Sequence, residues 1–232
     1  MIEFSGIQKT TLADFPGEVA TTLFISGCNF RCGYCYNADL VFGRDTGVRI
    51  PEDEALQFLK ERKRVIDGIC FTGGEPLISP DLKDFIIKAR ALGYKIKLDT
   101  NGSFPSELKD LLDNKLLDYV AMDIKASPDK YDQVAGVKVD LDQIQQSVHL
   151  LKDSKIEYEF RTTVFSLLTK EDFLEIGLWL TKGQRYFLQS VKTEMKLLDP
   201  KFSEKYQAPT REFLSEVVEL LRPHFRFVGV RD

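Results

Sequence analysis

Short apolar runs recur along the chain, and segments with helical periodicity separate most of them. Strands that are buried on both faces have such near-continuous apolar sequences, and parallel strands need a crossover between them, usually a helix. Strand and helix alternate about six times, fewer than the eight units of a closed (β/α) barrel. We therefore predict an α/β fold, a partial (β/α)6 barrel with right-handed crossovers, in a single domain over residues 1–232. The runs lie at 20–26, 67–71, 94–99, 118–124, 156–164, 185–191 and 225–230.

Capping residues predict where several helices begin. Ser79, followed by Pro80, predicts one start, and an apolar stripe follows it at 82, 85, 86 and 89. Thr169 and Thr210 predict two more, because a threonine side chain can accept a hydrogen bond from a free N–H group of the first turn. These helices would supply the crossovers of the predicted barrel.

The composition excludes several classes of protein. The 232 residues are 43% hydrophobic and carry 32 basic and 36 acidic side chains, for a net charge of −4. No concentrated basic patch is present, so nucleic-acid binding is disfavoured. No apolar stretch approaches the roughly 18 residues that span a bilayer, and the N-terminus does not have the pattern of a secretory signal. We expect a cytoplasmic protein without a membrane partner, in a compartment where clustered cysteines bind metals or act in catalysis.

The unusual polar residues follow the predicted strands, at the point where each strand ends. In βα barrels the reactive groups collect at these strand ends and in the loops after them. We therefore expect one rim of the barrel to receive all of these residues. Along the chain they are the cysteine-rich loop at 28–35, 72–76 (TGGEP), 99–102 (DTNG), 123–125 (DIK), 161–163 (RTT) and Gln189.

Three of the four cysteines lie within eight positions, at Cys28, Cys32 and Cys35, and three kinds of site are open to them. A structural zinc site would take Cys70 as its fourth ligand, but Cys70 lies inside an apolar strand and the spacing is unusual for zinc. A redox pair of Cys32 and Cys35 would leave Cys28 without a role. An iron–sulfur cubane normally takes four cysteines, so three would leave one iron open for another ligand. An open iron is useful for catalysis rather than for plain electron transfer.

The sequence Cys28-Asn-Phe-Arg-Cys32-Gly-Tyr-Cys35 resembles the cluster-binding loop of the radical S-adenosylmethionine (radical SAM) superfamily, and GGEP at 73–76 resembles its second signature. The resemblance covers essentially the whole chain. It implies a partial barrel of the radical SAM type and one 4Fe–4S cluster on Cys28, Cys32 and Cys35, with S-adenosylmethionine on the open iron. In this family, one electron from the reduced cluster breaks the sulfonium–C5′ bond, and the resulting 5′-deoxyadenosyl radical abstracts hydrogen from a substrate.

The resemblance also assigns roles around S-adenosylmethionine. Gly73 and Gly74 permit close approach of the backbone to the methionine end, since a side chain would block it. Glu75 can accept a hydrogen bond from the ammonium group. Asp99 corresponds to an acidic residue that accepts hydrogen bonds from the ribose hydroxyls.

The DIK sequence resembles a motif of the enzymes that activate glycyl radical proteins. There, the lysine that matches Lys125 approaches the carboxylate of S-adenosylmethionine, and a basic residue that matches Arg161 lies near the same carboxylate. The acidic residues that match Asp99 and Asp123 also help to hold a monovalent cation. A salt bridge at the end of a strand is the alternative for Arg161.

The N-terminal segment is similar to one branch of these activating enzymes. QKTTLADFPG at 8–17 and the cysteine loop resemble activating proteins of the anaerobic (class III) ribonucleoside-triphosphate reductase. The resemblance implies a glycyl radical enzyme as protein substrate and a flavodoxin- or ferredoxin-like electron donor. Tyr36 departs from the histidine that many relatives have there. Alternatives are a pyruvate formate-lyase-type activating enzyme and 7-carboxy-7-deazaguanine synthase, which acts on a small pterin.

Overall fold

A computed structural model describes residues 1–43 and 47–231 of the chain. The strands are β1 (Glu3–Phe4), β2 (Gly6–Thr11), β3 (Ala20–Ile25), β4 (Ile50–Pro51), β5 (Gly68–Gly73), β6 (Lys95–Thr100), β7 (Tyr119–Asp123), β8 (Glu157–Val164), β9 (Gly183–Ser190) and β10 (Phe225–Arg231). The helices are α1 (Ala38–Val41), α2 (Glu52–Arg62), α3 (Leu82–Ala91), α4 (Pro105–Asp113), α5 (Tyr131–Ala135), α6 (Leu141–Asp153), α7 (Lys170–Trp179), α8 (Phe202–Lys205) and α9 (Arg211–Leu221). Each of the predicted apolar runs forms a strand.

One large sheet organises the molecule, with the strand order β10-β9-β8-β7-β6-β5-β3-β2. Neighbouring strands from β3 to β10 pair in parallel, and β2 pairs with β3 antiparallel. The predicted α/β fold is confirmed. Within the described residues, the sheet has one more parallel strand than six units require, because β10 adds beyond β9.

Strand β2 was not predicted from the sequence. It is an edge strand, and its central residues Gln8, Lys9 and Thr10 are exposed. A strand that buries little apolar surface has no apolar run by which to recognise it. The small antiparallel pair β1–β4 was missed for a similar reason, because each strand has only two residues.

The large sheet curves into a partial barrel. In the parts of the chain that the structure describes, β2 and β10 do not pair with each other. Even so, Gln8 on β2 and Arg231 on β10 line the same cavity. The two edges of the sheet therefore face a common interior.

Phe15 closes the end of the barrel where the parallel strands begin. Its side chain is buried and packs with Ala20 and Tyr119, at the starts of β3 and β7, and the ring centroids of Phe15 and Tyr119 are 6.1 Å apart. A Cβ atom on Gly68, the first residue of β5, would overlap the Phe15 ring. The interior is thus blocked at this end.

The helices cover the outer face of the sheet and bury their apolar stripes there. The residues predicted to form the stripe of α3 (Leu82, Phe85, Ile86 and Ala89) are all buried in one core that runs from Ile2 to Phe225. The predicted single domain over residues 1–232 stays a prediction. Among the described helices, none has the length and apolar character needed to cross a membrane.

Two of the three predicted helix caps are confirmed. The side chain of Thr210 accepts a hydrogen bond from Phe213 N at 3.1 Å, and Thr169 forms a reciprocal capping box with Asp172. The prediction for Ser79 is wrong, because α3 begins at Leu82 and Asp81 precedes it. Ser79 instead ends a short 3-10 turn over Pro76–Ile78, so the chain turns once more before the helix begins.

Candidate active site

A cavity of about 540 Å³ opens at the carboxyl ends of the strands. The predicted rim residues that line it are Cys28, Cys32, Cys35, Thr72, Gly73, Gly74, Asp99, Thr100, Asn101, Asp123, Lys125, Arg161, Thr163 and Gln189. They come from the ends of six different strands, as expected for a barrel of this type. Glu75, which was predicted to contact the cofactor, and Cys70 do not belong to its described lining.

The cysteine loop lies between β3 and α1 and is held by backbone hydrogen bonds to distant parts of the chain. Arg31 N donates to the carbonyl of Ala135 at 2.7 Å. Leu198 N and Asp199 N donate to the carbonyls of Cys35 and Gly33 at 2.8 and 3.0 Å. The loop is therefore fixed from both sides by segments far away in sequence.

The three thiols of the loop share one environment. Burial raises the pKa of Cys28, Cys32 and Cys35, and the Lys125 ammonium opposes that rise. No described group of three or more histidine, cysteine or acidic side chains is arranged to hold a metal ion. A cubane does not require such convergence, because each thiolate binds a different iron.

Cys70 behaves as a core residue, as predicted. It is fully buried on β5, and its sulfur accepts a weak hydrogen bond from Lys97 Nζ at 3.6 Å. Because Cys70 does not line the cavity that the other three cysteines share, the set available for one cofactor is three thiols and not four.

The glycine pair allows the end of β5 to lie against the start of the cysteine loop. A Cβ atom on Gly74 would overlap the carbonyl oxygen of Gly27, and one on Gly73 would meet the backbone of Ile25. Gly74 N and Glu75 N donate to these same neighbours, Ile25 and Gly27, both at 2.8 Å. From the sequence, the glycines were expected to make room for a ligand. The packing of β5 against the cysteine loop already requires them.

Glu75 is fully buried, and its carboxylate is occupied by three donors of the protein. It accepts from Leu77 N at 3.1 Å, from the Thr100 hydroxyl at 2.8 Å and from Asn101 N at 2.6 Å. Burial raises the pKa of Glu75 to about 7, against the effect of these donors. In this structure Glu75 anchors the loop after β6, and its predicted bond to an ammonium group stays a prediction.

The ends of β6, β7 and β8 form a partly buried network of alternating charges. Arg161 Nε donates to Asp123 at 2.8 Å, and its Nη1 donates to Asp99 at 3.3 Å. Lys125 pairs with Asp123 at 3.0 Å, and Lys97 pairs with Asp99. Burial alone would raise the pKa of Asp123, but Arg161 and Lys125 lower it to about 2. The pKa of Asp99 is also lowered, because Arg161 and Lys97 outweigh burial.

Several polar residues of the interior were missed by the sequence analysis. Asp14 accepts from the Thr22 hydroxyl at 2.5 Å, and both line the cavity. Arg231 forms two hydrogen bonds with the fully buried Glu159. Asp14 lies in the 8–17 segment, which was noted only for its resemblance. Successive side chains of a strand point to opposite faces of the sheet. This alternation within the predicted strands could have placed Thr22 and Glu159 on the inner face.

The donor set and the surroundings fit an iron–sulfur cluster with one open iron. Three thiols of one loop face a common cavity, and the ammonium of Lys125, which lines the same cavity, opposes the effect of burial on the pKa of each of them. The Radical SAM superfamily model matches residues 22–180, which include the cysteine loop and the ends of β3, β5, β6, β7 and β8. The chain therefore belongs to the radical SAM superfamily, whose members use a 4Fe–4S cluster and S-adenosylmethionine.

Several individual proteins are similar to the chain. One from Methanocaldococcus jannaschii, provisionally named as a glycyl-radical enzyme activating enzyme, is 29% identical over 98% of this chain and 95% of its own length. The pyruvate formate-lyase-activating enzyme of Clostridium pasteurianum is 32% identical, over 56% of each chain. A 7-carboxy-7-deazaguanine synthase of Methanopyrus kandleri is 32% identical over 48% of this chain and 51% of its own length.

A solved structure supports the fold alone. Streptococcus suis SuiB bound to the precursor peptide SuiA superposes with a TM-score of 0.66 at 15% identity. The match covers 89% of this chain and 47% of SuiB, so the chain spans about half of that protein.

Proposed function

We propose that this protein is a radical SAM activating enzyme, which generates a glycyl radical on a partner enzyme. The observation that carries the proposal is the three-thiol loop in one cavity with the partly buried Asp123–Lys125 pair. Lys125 belongs to the DIK motif that the chain has in common with such activating enzymes. The full-length similarity to the Methanocaldococcus jannaschii protein supports the same class.

Cys28, Cys32 and Cys35 would hold the 4Fe–4S cluster. Lys125 and Arg161 would bind the carboxylate of S-adenosylmethionine, and Asp99 would accept from its ribose hydroxyls. Gly73 and Gly74 line the cavity with backbone alone, so they leave room for the methionine end. When bound, the cluster supplies the electron that breaks the sulfonium–C5′ bond and releases a 5′-deoxyadenosyl radical.

The residues of the chain would orient the cofactor and exclude groups that quench a radical. The network around Arg161 fixes two carboxylates and an ammonium before the cofactor arrives, so little reorganisation is needed on binding. Tyr36 at the mouth of the cavity is 54% exposed, and Cys28 is partly exposed. An open mouth suits an inserted protein loop better than a small molecule, which usually needs a pocket that buries most of its surface.

The partner would be the anaerobic (class III) ribonucleoside-triphosphate reductase, because the segment at 8–17 resembles its activating proteins. In this structure that segment supplies Gln8 and Asp14 to the cavity and Phe15 to the closed end of the barrel. A flavodoxin- or ferredoxin-like protein would supply the electron. The monovalent cation at Asp99 and Asp123 stays a prediction, and it would have to compete with Arg161, which pairs with both carboxylates.

The test is to mix the reduced protein, S-adenosylmethionine and a class III reductase without oxygen and to record the electron paramagnetic resonance spectrum. We expect a glycyl radical doublet that is lost when the partner's glycine becomes alanine. Cys32→Ala should abolish the doublet and the absorbance near 400 nm. The matched control Cys70→Ala should keep both, because Cys70 lies outside the cavity.

Two outcomes would move the protein to another activity. A radical on pyruvate formate-lyase but not on the reductase would assign it to the other activating branch. Turnover of a small pterin alone would favour 7-carboxy-7-deazaguanine synthase, to which half of the chain is similar. Loss of the cluster in Cys70→Ala would contradict the three-thiol site.

A further inference from the structure

Lys97 is a buried lysine that has no role in the proposed function. Its side chain is 2% exposed, and the strand register places it between Cys70 of β5 and Tyr119 of β7. A lysine is almost never fully buried unless it is paired, because its ammonium group loses its hydration. A well-packed apolar side chain in the place of a buried ion pair is often at least as stable. The lysine therefore indicates a task other than packing.

The neighbours of the Lys97 ammonium group show which residue it holds. Lys97 Nζ donates to Asp99 Oδ1. The two residues are two positions apart on β6, so their side chains point to the same face of the sheet. The other two neighbours are weaker partners, because Cys70 Sγ accepts at 3.6 Å and the centre of the Tyr119 ring lies 6.0 Å away. Asp99 is the carboxylate among these three neighbours, and Lys97 holds it.

Asp99 is held from two sides, and a ligand can reach only one of them. Its other oxygen, Oδ2, accepts from Arg161 Nη1 at 3.3 Å. Arg161 lines the cavity and, in the proposed function, also binds the carboxylate of S-adenosylmethionine, so the cofactor competes for this guanidinium group. Lys97 does not belong to the described lining of the cavity. Lys97 is therefore the partner that keeps Asp99 in place when the cofactor binds.

Building on the proposed function, we propose that Lys97 is a positioning residue for S-adenosylmethionine. It holds the Asp99 carboxylate at the wall of the cavity, where Asp99 accepts from the ribose hydroxyls. The side chain of Asp99 is 16% exposed and lines the cavity, so the carboxylate reaches a ligand while its lysine does not. A group that is fixed in advance loses less conformational freedom on binding, and it therefore binds more tightly than a mobile one.

The experiment measures the dissociation constants of S-adenosylmethionine and of its 2′,3′-dideoxy analogue, by anaerobic equilibrium dialysis with the cluster-loaded protein. We expect Lys97→Met to bind S-adenosylmethionine about tenfold more weakly than the parent, because the charge-assisted hydrogen bonds to the ribose are weakened. It should bind the dideoxy analogue as the parent does, since that analogue has no ribose hydroxyls for Asp99. The matched control Lys95→Met should bind both ligands as the parent does, because Lys95 lies on the same strand but pairs with Glu18 at the surface.

A double variant separates this role from a purely structural one. Because Lys97 acts through Asp99, adding Lys97→Met to Asp99→Asn should cause no further loss of affinity, and this comparison leaves no unpaired carboxylate at position 99. A further loss in the double variant would overturn the inference, as would an equal loss for both ligands in Lys97→Met. Parent-like binding by Lys97→Met, with weakened binding by Asp99→Asn, would overturn the inference alone. Parent-like binding by Asp99→Asn would contradict the ribose contact of the proposed function as well.

Discussion

Arg161 contacts two carboxylates that belong to different strands, Asp99 on β6 and Asp123 on β7. Each carboxylate has a lysine as its second partner, so the network contains three cations and two anions. A net positive charge remains after these pairs form. That excess is available to an anionic ligand, such as the carboxylate of an amino acid.

The lowered pKa of Asp123 links this network to acid stability. A carboxyl group whose pKa falls from 3.8 to about 2 on folding stabilises the folded protein at neutral pH by about 2 kcal/mol. That contribution is present above about pH 4 and is lost as the pH falls towards 2. The parent should be more stable than Asp123→Asn above about pH 4. Between about pH 4 and pH 2 we expect this difference in unfolding free energy to fall by about 2 kcal/mol, as measured by urea denaturation. Asp129→Asn, at an exposed site, should lose much less unfolding free energy at neutral pH than Asp123→Asn does.

At the residue scale, the sequence was sufficient to bring the charged residues of the site to one rim. Asp99, Asp123 and Arg161 follow neighbouring parallel strands, and the register places Asp123 directly beside Arg161. The sequence was not sufficient to identify Glu75 as the buried residue that anchors the loop after β6. Glu75 lies in the same motif as two lining glycines, and only the packing of the loop after β6 turns its carboxylate inwards.

At the scale of elements, capping was predictable where the threonine directly precedes the first turn of its helix, as at Thr169 and Thr210. Thr169 is one such residue, and its partner Asp172 also accepts from Ser127 and Lys130, at 2.7 and 2.6 Å. Ser79 failed because the 3-10 turn over Pro76–Ile78 delays the start of α3. Local residue preferences cannot distinguish a short 3-10 turn from the first turn of an α-helix.

One partly buried ion pair links the end of β10 to β8. Arg231 holds Glu159, which has no exposed surface, and its guanidinium group lies 3.6 Å from the centre of the Phe187 ring. Removing one partner of a buried pair costs about 3–5 kcal/mol. We expect Arg231→Ala to lie near the lower limit, because Tyr119 still donates to Glu159 at 2.5 Å. Urea denaturation measures the loss, and a loss as small as that of Arg226→Ala, on the exposed side of β10, would contradict it.

At the scale of the whole molecule, the apolar runs were enough to predict a parallel α/β sheet. They could not predict β2 or the closure of the barrel by the segment that follows it. That closure depends on a single aromatic ring entering from a loop, and nothing in a local pattern distinguishes Phe15 from an ordinary loop residue.

Phe15 should therefore contribute strongly to stability. Replacing a buried phenylalanine by alanine typically costs about 3–5 kcal/mol, since it removes apolar contacts and leaves a cavity. We expect a loss of this size for Phe15→Ala in urea denaturation, and a much smaller one for Phe15→Leu. Leu12→Ala is the matched control, because Leu12 lies in the same segment and is 78% exposed. Equal losses for Phe15→Ala and Leu12→Ala would show that the barrel is not closed there.

The backbone bonds from Leu198 and Asp199 to the cysteine loop also bear on how the protein is made. Leu198 and Asp199 lie far downstream of the loop whose carbonyls they hold, so they leave the ribosome well after it. A nascent chain would present the three cysteines on an unclamped loop. We therefore expect iron and sulfide to be installed only after residues 198 and 199 have been made and have bonded to the loop, and a truncation before Leu198 to bind them poorly although all four cysteines remain.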